Sequence, residues 1–177
     1  MAEKGYPAAT IGDVVERAGI SRRTFYEHFS GKEACFLTAF DEAVGYVGAR
    51  MLAALEETAP GDWAERVRVS WRVFLGDLAE NPAAARSLYI ETFSAGPALI
   101  ERTTAVNNGF ADQFRALHRR ARREDPGIRD LPPEVFSLYI GGTAERIRDC
   151  LHTHGAAALP ELEDLFVETV RLLFGGG

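Results

Sequence analysis

Residues 10–33 read Thr10-Ile11-Gly12-Asp13-Val14-Val15-Glu16-Arg17-Ala18-Gly19-Ile20-Ser21-Arg22-Arg23-Thr24-Phe25-Tyr26-Glu27-His28-Phe29-Ser30-Gly31-Lys32-Glu33. Ile11, Val14, Val15 and Ala18 fall at i, i+3, i+4 and i+7, the apolar stripe of one short helix. Thr10, with Asp13 three residues on, forms a capping box that opens this helix. Gly19 closes it: glycine reaches the left-handed backbone at no steric cost, so Ala18-Gly19-Ile20-Ser21 turns the chain steeply into a second helix. That helix runs from Ser21 to near Phe29. It sets Phe25 and Phe29, joined by Ile20, on one side, and Arg22, Arg23, Tyr26 and Glu27 on the other. Two short helices joined by a glycine turn make a helix-turn-helix. The exposed first turn of the second, Ser21, Arg22, Arg23 and Thr24, carries the groups that reach base edges or phosphates.

Outward from this unit the chain is helical throughout, with no alternating strand pattern. Ser30-Gly31-Lys32-Glu33 reads as another capping box, opening a long helix to about Glu57. Pro60-Gly61-Asp62 breaks the chain before a helix from Trp63 to Glu80. Asn81 is placed to cap a helix that starts at Pro82. A turn at Ser94-Ala95-Gly96-Pro97 precedes a long helix from Ala98 to Glu124. Leu131-Pro132-Pro133 leads into a helix to about His154, and Pro160 opens the last, to Phe174. The expected fold is all-α: a helix-turn-helix domain over residues 1–42, then a helical bundle over residues 43–177.

Charge divides along the same line. The net charge is −6, which at first argues against nucleic acid. Residues 1–33 are balanced, five basic against five acidic, so the whole deficit lies in the rest. Residues 17–32 hold Arg17, Arg22, Arg23 and Lys32 against Glu27 alone. A basic edge on an acidic body suits a DNA reader whose other surface stays off DNA. No apolar run is long enough to span a bilayer, and the first residues have no signal-peptide core, so a cytoplasmic protein with no membrane partner is expected. Cys35 and Cys150 have no paired-ligand spacing, and His152 and His154 do not face one another on a helix, so neither a metal nor a cofactor is expected. The chain has no nucleophile elbow and no phosphate loop, which excludes the common enzyme classes.

The stretch from Gly5-Tyr6 to Lys32-Glu33 resembles the DNA-binding domain of the TetR family of bacterial regulators. Thr10, Ala18, Gly19, Ser21, Tyr26, His28, Phe29, Lys32 and Glu33 match that family's pattern in order and spacing. The resemblance implies that Arg22 and Arg23 face the major groove, that Ser21 and Thr24 bind a base or a phosphate, and that Thr10, Tyr26, His28 and Lys32 hold the DNA backbone. It implies a double-stranded operator, palindromic because it is read by a homodimer, and a ligand-responsive regulator, most simply a repressor.

Family members carry a full helix ahead of the Gly-Tyr pair, where this sequence shows Met1-Ala2-Glu3-Lys4. The expectation is a start assigned too late or a shortened protein. Tyr6, Ile11, Val14, Ile20 and Phe29 would then share one small core that needs the helix. The alternative function is a ligand-binding and dimerising module that no longer grips DNA tightly.

The resemblance also implies an apolar pocket within the bundle, with Trp71, Phe74, Tyr89, Phe93, Phe110, Phe114 and Tyr139 as candidate walls and a small hydrophobic or amphipathic effector as its occupant. The last two helices carry two stripes: Phe136, Tyr139, Ile140, Thr143, Ile147 and Leu151, and Leu162, Leu165, Phe166, Thr169, Leu172 and Leu173. Gly141 and Gly142 permit close approach, and the stripes are expected to pair about a two-fold axis. Arg115, His118, Arg119, Arg120, Arg122 and Arg123 cluster in the last turns of one helix, and they read as a solvated terminus that complements the helix dipole.

Overall fold

The computed structural model describes residues 5–58, 63–94 and 96–174, excluding the side chains of Phe93 and Ser94. The expected break at residues 60–62, the expectation for Phe93, and Met1-Ala2-Glu3-Lys4 all fall outside them. Among the described residues eight α-helices follow in order: α1 Ile11–Ala18, α2 Arg22–His28, α3 Lys32–Glu56, α4 Trp63–Glu80, α5 Pro82–Tyr89, α6 Pro97–Glu124, α7 Pro133–Thr153 and α8 Glu163–Phe174. Two 3-10 segments, Glu91–Ser94 and Ala156–Leu162, link α5 to α6 and α7 to α8. Among the described residues there is no strand, and no helix is long and apolar enough to cross a membrane.

The first two helices form as their residues dictate. Thr10 Oγ1 accepts from the Asp13 N–H at 3.2 Å, and Asp13 Oδ2 accepts from the Thr10 N–H at 2.8 Å. This reciprocal box satisfies two donors that a helix start leaves unpaired. Gly19 sits at φ 66°, a left-handed backbone that a side chain there would strain. Ser21 caps α2, its Oγ accepting from the Thr24 N–H at 3.0 Å.

Several expectations are corrected by the packing. Gly31, not Ser30, caps α3, and it offers no side chain for a box. Asn81 precedes α5 without capping it, because its side-chain amide donates backwards to the Asp77 carbonyl at 3.0 Å. Residues from Pro160 form 3-10 turns, and α8 starts only at Glu163. The small N-terminal core is also different. Tyr6 joins Phe36, Phe40 and Leu99, while Ile20 is exposed and Phe25 is the fully buried side chain of α2. Leu99 lies in the first turn of α6, so this core joins the helix-turn-helix to the bundle.

The main core fills the bundle between α4, α6, α7 and α8. His118 belongs to it rather than to a solvated terminus. It is 2% exposed, donates from Nε2 to the Arg129 carbonyl at 2.8 Å, and lies against Phe136 and Phe174. The α7 stripe assigned to subunit pairing also faces inward: Phe136, Tyr139, Ile140, Thr143 and Ile147 are buried within the chain. The open apolar positions of the last two helices are Leu138, Leu165 and Leu172, exposed by 75%, 49% and 71%. A charged clamp fixes α4 to α8: Arg68 contacts Glu163 at 2.9 Å and Asp164 at 2.6 Å, and Arg72 contacts Glu163 at 3.1 Å.

Candidate DNA interface and ligand chamber

In the helix-turn-helix Ser21, Arg22, Arg23, Tyr26 and His28 are exposed and Thr24 is half-buried. α2 is anchored beneath by Phe25, whose ring meets Tyr26 and Phe29 at centroid distances of 5.5 and 5.4 Å. Arg22 extends back over α1: a Cβ added at Gly12 would lie 3.4 Å from its guanidinium. Arg23 is solvent-exposed and pairs with Glu27 one turn on, at 3.1 Å. An exposed pair of this kind contributes little, so a nucleic acid can displace it. Thr10, Ser21 and Thr24 already serve the helix starts, with Ser21 and Thr24 sharing a hydrogen bond at 2.9 Å.

Lys32 has an internal task that its sequence position did not reveal. Its Nζ donates to the Tyr6 carbonyl at 2.8 Å and the Ala9 carbonyl at 2.9 Å, and it sits 4.4 Å above the Tyr6 ring. Two of its three donors therefore tie the N-terminal turn to α3. Tyr6 in turn donates its backbone N–H to the buried Glu91 at 3.0 Å. Beside this region Val14 and Ala18 face Cys35, Phe36 and Ala39 across a groove of about 290 Å3. Burial pushes the Cys35 thiol above its usual range.

A chamber of about 730 Å3, open to solvent on one side, lies between α3, α4 and α6. This lies within the size range of small-molecule sites, roughly 300–1,000 Å3. Two smaller pockets, of about 30 and 60 Å3, adjoin it and share Phe110 with it. Of the expected walls, Trp71, Phe74, Tyr89, Phe110 and Phe114 all line one or more of these spaces. Tyr139 stands behind them. It accepts from Trp71 Nε1 at 2.7 Å and donates to the Phe166 carbonyl at 3.0 Å, so it fixes the Trp71 ring from the core side. Burial raises its phenol well above the usual range, opposed by the Trp71 bond, and keeps it a neutral donor.

Sequence reasoning missed Met51, Leu52 and Leu55 on α3, Arg66 and Ser70 on α4, and Gln113 and Arg120 on α6. The α3 residues carry the same apolar spacing as any core stripe. Only the separation of α3 from α6 turns them into a wall.

A short helix-turn-helix packed on a helical bundle leaves an exposed basic turn at one place and a largely apolar cleft at another. Residues 1–39 match the family model described as "Bacterial regulatory proteins, tetR family". The HTH-type transcriptional regulator EthR of Mycolicibacterium smegmatis is 31% identical over 84 residues, 48% of this chain and 38% of that protein. The HTH-type transcriptional activator FasR of the same organism is 23% identical over 110 residues, 62% of this chain and 49% of that protein. The matches thus span half or less of these curated relatives, which are transcriptional regulators rather than enzymes. Among solved structures, the fatty acid degradation regulator FadR of Bacillus halodurans superposes with a TM-score of 0.84 at 20% identity, over 99% of this chain and 89% of that one. FadR of Bacillus subtilis, in complex with stearoyl-CoA, gives 0.83 at 20% identity, over 99% and 92%. At that identity the likeness is one of fold.

Proposed function

We propose that this chain is a ligand-responsive transcriptional regulator, acting as a repressor, that grips a palindromic operator as a homodimer and releases it when a hydrophobic or amphipathic effector fills the chamber. One observation carries this reading: the chamber and the DNA reader share a wall. Phe40 lines the inner pocket and packs in the same cluster as Tyr6, Phe36 and Leu99. A ligand in the bundle therefore pushes on the core that seats the helix-turn-helix. Arg22 and Arg23 would read base edges, and Ser21, Thr24, Tyr26 and His28 would hold phosphates.

Pairing through α7 and α8 is supported by the exposed Leu138, Leu165 and Leu172 beside the open glycines Gly141 and Gly142. A stearoyl-CoA complex of a structural neighbour supports a long apolar effector. The test is selection of bound duplexes from a random DNA library, followed by sedimentation. The expected product is an inverted repeat whose half-site centres lie about 34–36 Å apart, or a multiple of that. Leu138→Asp should give a monomer that loses the repeat. Recovery of no enriched sequence, or of single half-sites bound by a monomer, would sink this reading.

A further inference from the structure

We infer that the chamber takes an alkyl chain with one anionic end, seated with the anion at Arg66 and Arg120 and the tail pointing to Phe40. This rests on the reading of the chamber as the effector site.

Charge is the first support. The chain carries 26 acidic residues against 20 basic ones. Even so, among the described residues neither Asp nor Glu lines the chamber or its two side pockets, whereas Arg66 and Arg120 line the chamber itself. Most other lining groups are aliphatic or aromatic. An anionic head on an apolar chain is the ligand that such a lining solvates best.

Placement is the second support. Arg66 lies in the first turns of α4, Arg120 in the last turns of α6, and Leu55 at the end of α3, so all three gather at one end of the bundle. Arg66 donates through Nη1 to the Leu55 carbonyl at 3.0 Å and has no carboxylate partner among the described residues. That bond orients the guanidinium and leaves its remaining N–H groups for an anion. Arg120 pairs with Glu124 at 3.3 Å in a half-exposed contact, which an incoming anion can displace.

The opposite end is built differently. From Leu55 to Phe40 the wall follows α3 for about 22 Å at 1.5 Å per residue. The inner pocket there holds about 60 Å3, lined largely by side chains such as Phe40, Val44, Val47 and Leu88. Its one cation, Arg148, donates to the Tyr89 carbonyl at 3.1 Å and pairs closely with Glu145. A small pocket whose lining is mostly apolar and whose cation is already paired suits the end of a chain better than a hydrated anionic head. The tail would then end beside the core of Tyr6, Phe36 and Phe40, so chain length becomes the signal. A short chain occupies the mouth without reaching that core.

The experiment is titration calorimetry on the full chain with hexadecanoate, hexadecanoyl-CoA, hexadecanol and octanoate, paired with amide exchange over residues 5–31. Hexadecanoate or its CoA ester should bind at least about tenfold more tightly than the alcohol, as a charge-assisted bond at a partly buried site requires. The two anions separate a carboxylate head from a phosphate head. Arg66→Gln with Arg120→Gln should erase the preference for acid over alcohol while leaving alcohol binding unchanged. The corresponding lysine pair should keep part of it. Octanoate should bind and leave exchange at residues 5–31 unaltered, whereas hexadecanoate should change it. Equal binding of acid and alcohol overturns the anionic head while leaving the chamber a ligand site. Loss of the preference in Arg148→Gln, with the mouth variant unaffected, overturns the orientation. Absence of binding by all four probes overturns both this inference and the effector site beneath it.

Discussion

The backbone N–H of Tyr6 donates to Oε2 of Glu91 at 3.0 Å, joining two points that lie 85 residues apart in the chain. Tyr6 leads into the helix-turn-helix, and Glu91 starts the 3-10 turn between α5 and α6. Glu91 is 5% exposed, with Arg86 Nε 3.6 Å from its other oxygen. Replacing it by Ala leaves a buried N–H unpaired and removes a bond to a charged group, a loss of about 1.5–3 kcal/mol. Glu91→Ala should therefore unfold at lower urea and exchange the Tyr6 amide faster. Glu91→Gln, which keeps an acceptor, should recover part of both. Wild-type Tyr6 exchange in the alanine variant would show that this bond does not hold the N-terminal turn.

Lys32 is predicted to matter for stability before it matters for DNA. Its ammonium bonds two carbonyls and lies over the Tyr6 ring. Lys32→Met should keep the apolar stem and lose both charge-assisted bonds, at about 1.5–3 kcal/mol each at most. Denaturant unfolding gives the stability term, and the slope of DNA affinity against salt gives the phosphate term. A slope reduced by one contact with no loss of stability would restore Lys32 to a purely phosphate-binding role.

Arg22→Ala and Arg23→Ala should relax operator choice, each by about 1–3 kcal/mol if the side chain reads a base edge. Of the two, Arg23 is the one held by a carboxylate, Glu27 one turn on. Glu27→Gln should release Arg23 and leave the folded domain intact. Competition between operator and random DNA measures the ratio. An unchanged ratio in both arginine variants would move these side chains from base reading to phosphate contact.

The helix-turn-helix was legible because its signals are local. Thr10 with Asp13, the left-handed Gly19 and the spacing of Phe25 to Phe29 are set within a few residues, and each took its expected place in the structure. Aromatic residues at the chamber were found for a similar reason: five large rings on α4, α5 and α6 had to bury somewhere. What the sequence hid depends on distant partners. Lys32 looks like a surface cation until Tyr6 and Ala9 are brought to it. His118 sits in a run of arginines, and only the approach of Phe136, Phe174 and the Arg129 carbonyl buries it. The α7 stripe was a correct apolar face with two possible destinations, the chain's own core or a second copy, and periodicity carries no information about which.

Asp77 gives a prediction in pH. Burial holds its carboxyl above the ordinary range, opposed by Arg50 at 3.0 Å and assisted by Glu80. The folded state therefore binds this proton more tightly than the unfolded chain. Stability from that protonation is fully present below the usual aspartate value, about 3.9, and is lost as pH rises through the raised folded value. Wild-type stability relative to Asp77→Asn should accordingly fall as pH climbs from the acid side toward neutrality. Urea unfolding of the pair across that interval measures it. A difference that rises with pH would mean that Arg50 outweighs burial at this site.

The charged clamp between α4 and α8 gives the chamber one stiff side and one compliant side. Arg68 and Arg72 lock α4 onto Glu163 and Asp164, and Trp71 presses on Phe166 at 4.7 Å between ring centroids. Across the cavity, α3 and α6 are fastened to each other by the exposed Arg102 and Asp41 pair. A load placed between a braced plate and a light panel moves the panel. Under the proposed function, an effector wedged into the chamber would therefore move α3 and α6 rather than α4, and α3 is the helix that follows the helix-turn-helix.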